Sequence, residues 1–510
     1  MSFFLYTAAE IGAMESAHAK LRPKDALMLR AGAAVAALAV SVLKKKPVAN
    51  ILVLAGPGNN GGDAWVAAAA LLKLGHRVTI LEPGKRSHTD AVAQKMMAAY
   101  RKAKGATVTK FPANAKFDLI IDGLFGIGLT RAPAGVFADA IAAANANADA
   151  HHTPMLAIDV PSGLLADTGG APGATIRADF TLTFLGAKAG LYTADGVDHA
   201  GEIRVDTLGV DVSATQGELL THAIVTPLIP QRRNNAHKGS FGSVGVIGGA
   251  AGMVGAAVLA ARAALHMGPG KVYLGLAAKA APTFDAINPE IMLRHADLLL
   301  AEKSPIALTA LAVGMGLGVD KSARHLLKAA LALTLPTVVD ADALTMLATN
   351  ASIYAAFQAK SAGKPHRFWR FIFTPHPGEA ARLLGASVDE IQSDRVGAAK
   401  AIAAKFNAVT VLKGAGTIIA TPDARYWVNT SGNPGMASGG MGDALSGMIA
   451  SFLAQGVNAL DAARLAVYLH GAAADECLAH GMAPHGLTAS EVIFEARTLL
   501  NAGFDCHHHG

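Results

Sequence analysis

Apolar residues in this chain recur in two patterns. Short runs rich in β-branched and aliphatic residues alternate with longer Ala-rich stretches. In the first half the runs are "ILVLAG" at Ile51, "RVTILE" at Arg77, "FDLIID" at Phe117, "MLAIDV" at Met155 and "FTLTFLG" at Phe180. Runs that are short and continuously apolar fit strands buried on both faces, and the stretches between them carry helical spacing. Helices are predicted from Ala9 to Lys20 and from Lys24 to Leu43, ahead of the first run, and "GEIRVDTLGV" (201–210) closes the half. Such alternation predicts a parallel sheet with helices on both faces.

The rhythm fails between Thr221 and Gly239, in "THAIVTPLIPQRRNNAHKG", which gathers Pro, Asn and basic residues. It restarts with "SVGVIGGAAGMVGAAVLAARAAL", a strand, a Gly-rich turn and a helix, and further strands are predicted at Val272, Ala310, Thr337, Phe371, Val409 and Tyr426. The halves do not read as repeats, and each exceeds the typical domain of about 100–150 residues. The expected organisation is α/β with two domains, residues 1–220 and 226–505.

Composition narrows the partners. At 510 residues, with 52% apolar and 16% charged content, the chain has ample material for buried cores. The net charge of +6 is modest, and no long basic run appears beyond Lys44 to Lys46, so no nucleic-acid partner is expected. The weakly polar run from Ala31 to Leu43 is too short to span a bilayer, and the N-terminus meets Glu10 with no basic n-region before it. No membrane partner is expected. Cys477 and Cys506 are the only cysteines, which excludes a disulfide framework and fits the cytoplasm. The terminal "HHHG" is not read as a metal site.

Three polar turns follow strands in the first half. "GPGNNGGDAW" (56–65) leads from a strand into a helix, an arrangement that offers backbone amides to phosphate. "DGLFGIGLTR" (122–131) and "IDVPSGL" (158–164) end two later strands. Each could be tight packing or a cap on its own, but parallel strands would bring all three to one crevice. Together these segments, with "LMLRAG" at Leu27 and the closing "RVDTLGV", resemble the YjeF N-terminal family of NAD(P)H-hydrate epimerases over most of residues 1–215. The resemblance implies a Rossmann-like αβα sandwich. It implies substrate contacts at Asn59, Asn60, Gly61, Gly62 and Asp63 and at Gly126, Ile127, Gly128, Leu129, Thr130 and Arg131. By the same resemblance Asp159 is the acid/base group, and Asn60, Asp122 and Ser162 hold K⁺. One departure is Ala64, where the family usually has Gly; a methyl there crowds substrate if the backbone has positive φ and is harmless at a helix start.

In the second half, "VGMGLG" (313–318), "VVDADAL" (338–344), "TPHPGEAARLLG" (374–385), "LKGAGT" (412–417) and "NTSGNPGMASGGMGDALSG" (429–447) carry the polar chemistry. Asp443 stands where a Gly-rich turn opens a helix, so it is either an N-cap or a base beside transferred phosphate. His376 could be a loop residue held by backbone bonds, and Asp340 and Asp342 could be unliganded strand-end acids. Neither a Walker pattern nor a GxGxxG before a helix accounts for these stretches. They resemble the ribokinase-like NAD(P)H-hydrate dehydratases of the YjeF C-terminal family over about residues 226–500. That likeness implies nucleotide contacts at Lys413, Gly414, Ala415, Gly416, Thr417 and Gly442, and hydrate contacts at Ala256, Gly316 and His376. Asp443 is then the catalytic base, and Mg²⁺ and ADP the cofactors.

The combined resemblance implies a bifunctional enzyme that takes NADHX, NADPHX and ADP and forms a homo-oligomer. The rival expectation is a small-molecule kinase of the same fold with a non-catalytic N-terminal binding module.

Overall fold

The computed structural model describes residues 4–21, 27–44, 46–84, 91–112, 115–361 and 369–503, without the side chains of 360 and 361. Lys24, Lys45, Cys506 and the terminal His run lie outside the described residues. Two compact units divide between Gly217 and Glu218, just ahead of the expected break.

In the N-terminal unit, β1 (Asn50–Ala55), β2 (Arg77–Leu81), β3 (Ala106–Val108), β4 (Leu119–Gly123), β5 (Met155–Ile158), β6 (Phe180–Phe184) and β7 (Glu202–Asp206) form a seven-stranded sheet. Its order is β3-β2-β1-β4-β5-β6-β7, and every pairing is parallel. Ile51 and Val53 of β1 enter one apolar cluster and Leu52 and Leu54 another; β4 divides likewise, Leu119 and Ile121 against Ile120. Alternate residues of a strand point to opposite faces, so these clusters are the two sides of the sheet. Helices α1 (Ala8–Leu21), α2 (Leu27–Val42), α3 (Asn59–Lys73) and α4 (Ala91–Lys102) contribute to the first cluster, and α5 (Val136–His151) to the second. That is the three-layer sandwich expected. Strand order reverses between β1 and β4, the position at which open parallel sheets bind ligands.

The C-terminal unit's strands are β8 (Gly217–Leu220), β9 (Ser243–Gly248), β10 (Lys271–Leu276), β11 (Met292–His295), β12 (Ala310–Val313), β13 (Thr337–Val339), β14 (Phe371–Phe373), β15 (Val409–Leu412), β16 (Ile418–Ala420) and β17 (Tyr426–Asn429). They run in the order β8-β17-β16-β15-β14-β13-β12-β9-β10-β11, with the reversal between β9 and β12. Strands β9 to β15 pair in parallel, whereas β15–β16 and β16–β17 are antiparallel. Consequently "LKGAGT" leads from the end of β15 into the turn of a hairpin. The unpredicted strands β3, β8, β11 and β16 have three or four residues each, too few for a periodic pattern to stand out.

Helices α6 (Val254–His266), α7 (Lys321–Ala332), α8 (Ala341–Thr349), α9 (Pro377–Leu384), α10 (Arg395–Phe406), α11 (Met441–Ala454), α12 (Ala459–Ala479) and α13 (Ala489–Asn501) cover this sheet. Two of them touch backbone to backbone: a Cβ on Gly447 of α11 would lie 2.0 Å from the Ala260 carbonyl oxygen of α6. Only glycine fits there. No helix among the described residues is long and apolar enough to cross a membrane.

Candidate functional site

The first site lies at the β1/β4 reversal. The turn after β1 is pressed against the turn after β4: a Cβ on Gly56 would lie 1.8 Å from the Leu124 carbonyl oxygen, and one on Gly61 1.9 Å from that of Gly56. Here the Gly spacing is a packing requirement as well as an opening. The predicted loop Asn59–Asp63 is the first turn of α3, with Gly58 as N-cap and no side-chain cap. Ala64 lies inside the same helix, fully buried and without positive φ, so its methyl carries no backbone strain.

Asn60, Asp122 and Ser162 come together around Phe125. Ser162 donates its hydroxyl to Asp122 Oδ1 at 2.7 Å and its amide to Oδ2 at 2.7 Å, and Leu124 N donates to Oδ1 at 3.2 Å. Asn60 Nδ2 donates to the Phe125 carbonyl at 2.9 Å, and Phe125 N donates to Ser162 Oγ at 2.8 Å. Asp122 has no cationic partner among the described residues, and burial pushes its carboxyl up to about 6 against these hydrogen bonds. Clustered oxygens around an uncompensated buried carboxylate match the donor set of a hard monovalent cation.

Asp159 follows β5 in a left-handed conformation, φ 65°. Its Oδ1 accepts from Lys188 Nζ at 2.7 Å, Thr183 Oγ1 at 3.1 Å and Phe184 N at 3.3 Å. Gly126 adjoins this carboxylate: a Cβ there would lie 3.3 Å from Asp159 Oδ2 and 3.4 Å from Asn60 Oδ1. Ile127 packs against the unit's core, while Gly128, Thr130 and Arg131 are exposed, and neither Thr130 nor Arg131 bonds to the cluster. Asn59 is exposed, and Gly62 is buried beside Met28.

The second site lies at the C-terminal ends of β9, β12, β13 and β15. Asp340 caps α8 through the Ala341 amide at 2.9 Å, accepts from Ser446 Oγ at 2.8 Å and pairs with Lys413 Nζ at 3.0 Å. It is thus a cap and an ionic hub at once. Glu379 stands 3.9 Å from the same ammonium. Burial pulls Lys413 down, but the carboxylates of Asp340 and Glu379 outweigh it and hold the ammonium above its usual range.

Asp443 sits in the first turn of α11, yet the N-cap is Gly440, with φ 90° and no side-chain cap. Among the described residues Asp443 has no hydrogen-bond partner, so the N-cap alternative for it falls. Burial, then the Asp340 carboxylate, push Asp443 up to about 6, with Lys413 opposing and Asp342 adding. Gly442 lies against the ammonium, a Cβ there falling 3.1 Å from Lys413 Nζ.

His376 does hold backbone. Its Nδ1 accepts from the Gly378 amide at 3.0 Å and more weakly from Glu379 at 3.4 Å, in a capping box at the start of α9. Burial and Lys413 keep this imidazole below its usual range, and half of the side chain is exposed. With Nδ1 as acceptor, Nε2 carries the proton, and it faces Glu379 Oε1 at 3.4 Å. Gly316 and Ala256 adjoin, a Cβ on Gly316 lying 3.3 Å from that of Ala256, and Asp342 Oδ2 accepts from Gly318 N at 2.8 Å. The hairpin turn carries Gly414 at φ 136°, where a Cβ would meet the buried Arg395 guanidinium at 2.9 Å. Thr417 Oγ1 donates to the Gly414 carbonyl at 3.0 Å, and Gly414 and Ala415 are exposed.

Sequence reasoning missed Lys188, Glu379 and Ser446. A lone Lys inside the apolar stretch "TLTFLGAKAGL" was the available signal, because a buried ammonium demands a partner.

Residues 244–495 match the NAD(P)H-hydrate dehydratase family, and residues 24–190 match the YjeF-related protein N-terminus. The bifunctional NAD(P)H-hydrate repair enzyme of Coxiella burnetii is 38% identical over 485 residues, covering 93% of this chain and 94% of that protein. That of Escherichia coli is 37% identical over 488 residues, covering 93% and 89%. A solved ADP/ATP-dependent NAD(P)H-hydrate dehydratase from Bacillus subtilis aligns at 32% identity and TM-score 0.49, covering 56% of this chain and 98% of that one. With both family segments in order on one chain, and relatives of this identity along nearly its whole length, the chain belongs to the bifunctional NAD(P)H-hydrate repair enzymes.

Proposed function

We propose that this chain repairs hydrated nicotinamide nucleotides in two steps. The N-terminal unit interconverts the R and S epimers of NADHX and NADPHX, and the C-terminal unit dehydrates the S epimer to NAD(P)H at the expense of ADP. The observation that carries the reading is Asp443, a helix-start carboxylate that caps nothing and whose proton affinity is raised into the range useful to a base.

In the C-terminal unit, Asp443 takes the proton of the C6 hydroxyl as that oxygen attacks the terminal phosphoryl group of ADP, and AMP leaves. Departure of phosphate from C6, with loss of a proton from C5, then restores the C5–C6 double bond of the dihydropyridine. Hydroxide is a poor leaving group and phosphate a good one, which is the chemical reason for spending a nucleotide. Lys413, beside the first turn of α11, is suited to balance phosphate charge, with the turn Gly414–Thr417 and Gly442 along the nucleotide. Ala256, Gly316 and His376 line the hydrate side. Among the described residues no group of His, Cys, Asp and Glu is placed to hold a metal ion alone. Mg²⁺ would therefore arrive with the nucleotide and neutralise its phosphates.

In the N-terminal unit Asp159 is the acid/base group, with Asn59–Asp63 and Gly126–Arg131 as substrate contacts. Asn60, Asp122 and Ser162 would hold K⁺, which supplies the positive charge that buried Asp122 lacks. The reading carries a cytoplasmic location and a homo-oligomer, the latter testable by sedimentation of the purified chain.

The test is to mix the purified protein with both epimers of NADHX, Mg²⁺, K⁺ and ADP and to follow reduced-nicotinamide absorbance. Complete recovery is expected. A phase that stops at the S fraction would remove the epimerase assignment and leave the dehydratase. No recovery with ADP or with ATP would overturn the repair reading in favour of a small-molecule kinase.

A further inference from the structure

Lys188 is the most completely enclosed cation near the first site. Its side chain is 0% exposed, and its ammonium donates to Asp159 Oδ1 at 2.7 Å, Thr183 Oγ1 at 2.8 Å and the Phe184 carbonyl at 2.8 Å. An ammonium has three protons, so its donors are fully used inside the protein. It cannot also reach a substrate.

The same geometry divides the two oxygens of Asp159. Oδ1 takes all three donors that reach this carboxylate, from Lys188, Thr183 and Phe184. Oδ2 takes none among the described residues and lies beside Gly126, where a missing side chain leaves room. The Asp159 backbone is fixed as well, in the left-handed region and with its amide bonded to the Leu182 carbonyl at 2.8 Å. Strain of this kind persists only where the surroundings over-determine it. Glu15 of α1 also faces the pair: burial, then the Asp159 charge, hold its carboxyl above the usual range, with Lys188 opposing.

We infer that Lys188 is a positioning residue of the epimerase, locking Oδ1 of Asp159 so that Oδ2 alone exchanges the proton with substrate. The inference rests on Asp159 being the acid/base group. Free rotation of the carboxylate would present either oxygen at varying angles, and a lock removes that freedom before substrate arrives.

The experiment uses the full chain, with dehydration of purified S epimer as an internal control that the protein is folded. Epimer exchange is measured without nucleotide for Lys188→Met, Lys188→Arg, Asp159→Asn and the Lys188→Met/Asp159→Asn pair. Lys188→Met is expected to lower the exchange kcat by about 100-fold with KM changed less than about twofold. Lys188→Arg should recover part of that loss, and Lys188→Met should cost nothing further once Asp159 is Asn. If Lys188→Met does not fold, Thr183→Val carries the test, because it removes one Oδ1 donor and keeps the ion pair; a roughly tenfold loss of kcat is expected. A wild-type kcat in the variant used, or a Lys188→Met loss that multiplies fully with Asp159→Asn, would overturn the lock. Wild-type exchange in Asp159→Asn would instead overturn the acid/base assignment itself.

Discussion

The two sites occupy equivalent places in their sheets and treat their key carboxylate in opposite ways. Each lies beyond the C-terminal ends of parallel strands where the order reverses. Asp159 stands on a strained strand end with one oxygen held by three donors, including a buried ammonium. Asp443 stands in an unstrained helical turn with no side-chain hydrogen bond among the described residues, and with Asp340 and Asp342 raising its proton affinity against Lys413. The difference teaches that a doubly wound sheet fixes where an acid sits, while its neighbours decide what it can do. Fixing one oxygen favours a proton given and returned along one line. Crowding by like charge favours a carboxylate that binds a proton readily and is then relieved by phosphate chemistry.

The largest effect expected from this contrast is on the C-terminal acid. Asp443→Asn should lower dehydration of the S epimer by about 10²–10⁴-fold, the usual span for loss of a general base, while epimer exchange stays at the wild-type rate. Loss of both activities would break the comparison, since it would mean that the two sites are not separate. Gly447→Ala comes next. Its methyl would strike the Ala260 carbonyl oxygen at 2.0 Å, and overpacking of this kind costs about 1–3 kcal/mol. A lower urea midpoint for the C-terminal unit, with an unchanged midpoint for the N-terminal unit, is the expected outcome.

Acidity sharpens the comparison further. Because Asp443 is pushed up to about 6, the base form is present above that pH and is lost as pH falls through it. Dehydration kcat/KM should therefore drop about tenfold per pH unit below about 6, and a flat profile to pH 5 would remove Asp443 from the step. The smallest effect concerns Asp122. A carboxyl raised in the folded state contributes stability below its unfolded value near 3.8 and loses it as pH rises through about 6. Added K⁺ should thus raise the Tm of the N-terminal unit by a few degrees at pH 8 and hardly at all at pH 5, as would follow from binding the ionised form. Equal shifts at both values would place the ion elsewhere.

Much of this was legible in the chain. The strand–helix alternation set the layers, because buried parallel strands are continuously apolar. "GGMGDALSG" marked the start of α11, although not that Gly440, rather than Asp443, is its cap. What escaped was whatever depends on distant partners. Lys188 lies 29 residues beyond Asp159, and only the adjacency of β5 and β6 brings them together. The hairpin around Lys413 escaped because β16 is three residues long and carries no periodic signal. The sequence leaves His376 open as a ligand or a backbone holder; the capping box establishes the holding role, through the Glu379 three positions on.

The enclosure of Lys188 has a practical consequence for following the molecule in solution. An amine whose protons are all engaged and whose surface is 0% exposed is closed to acylating reagents in the native state. It becomes reactive only when the strand ends around it separate. Site-resolved amine labelling at this one position would therefore report, in time and without any substrate, how often the N-terminal unit opens.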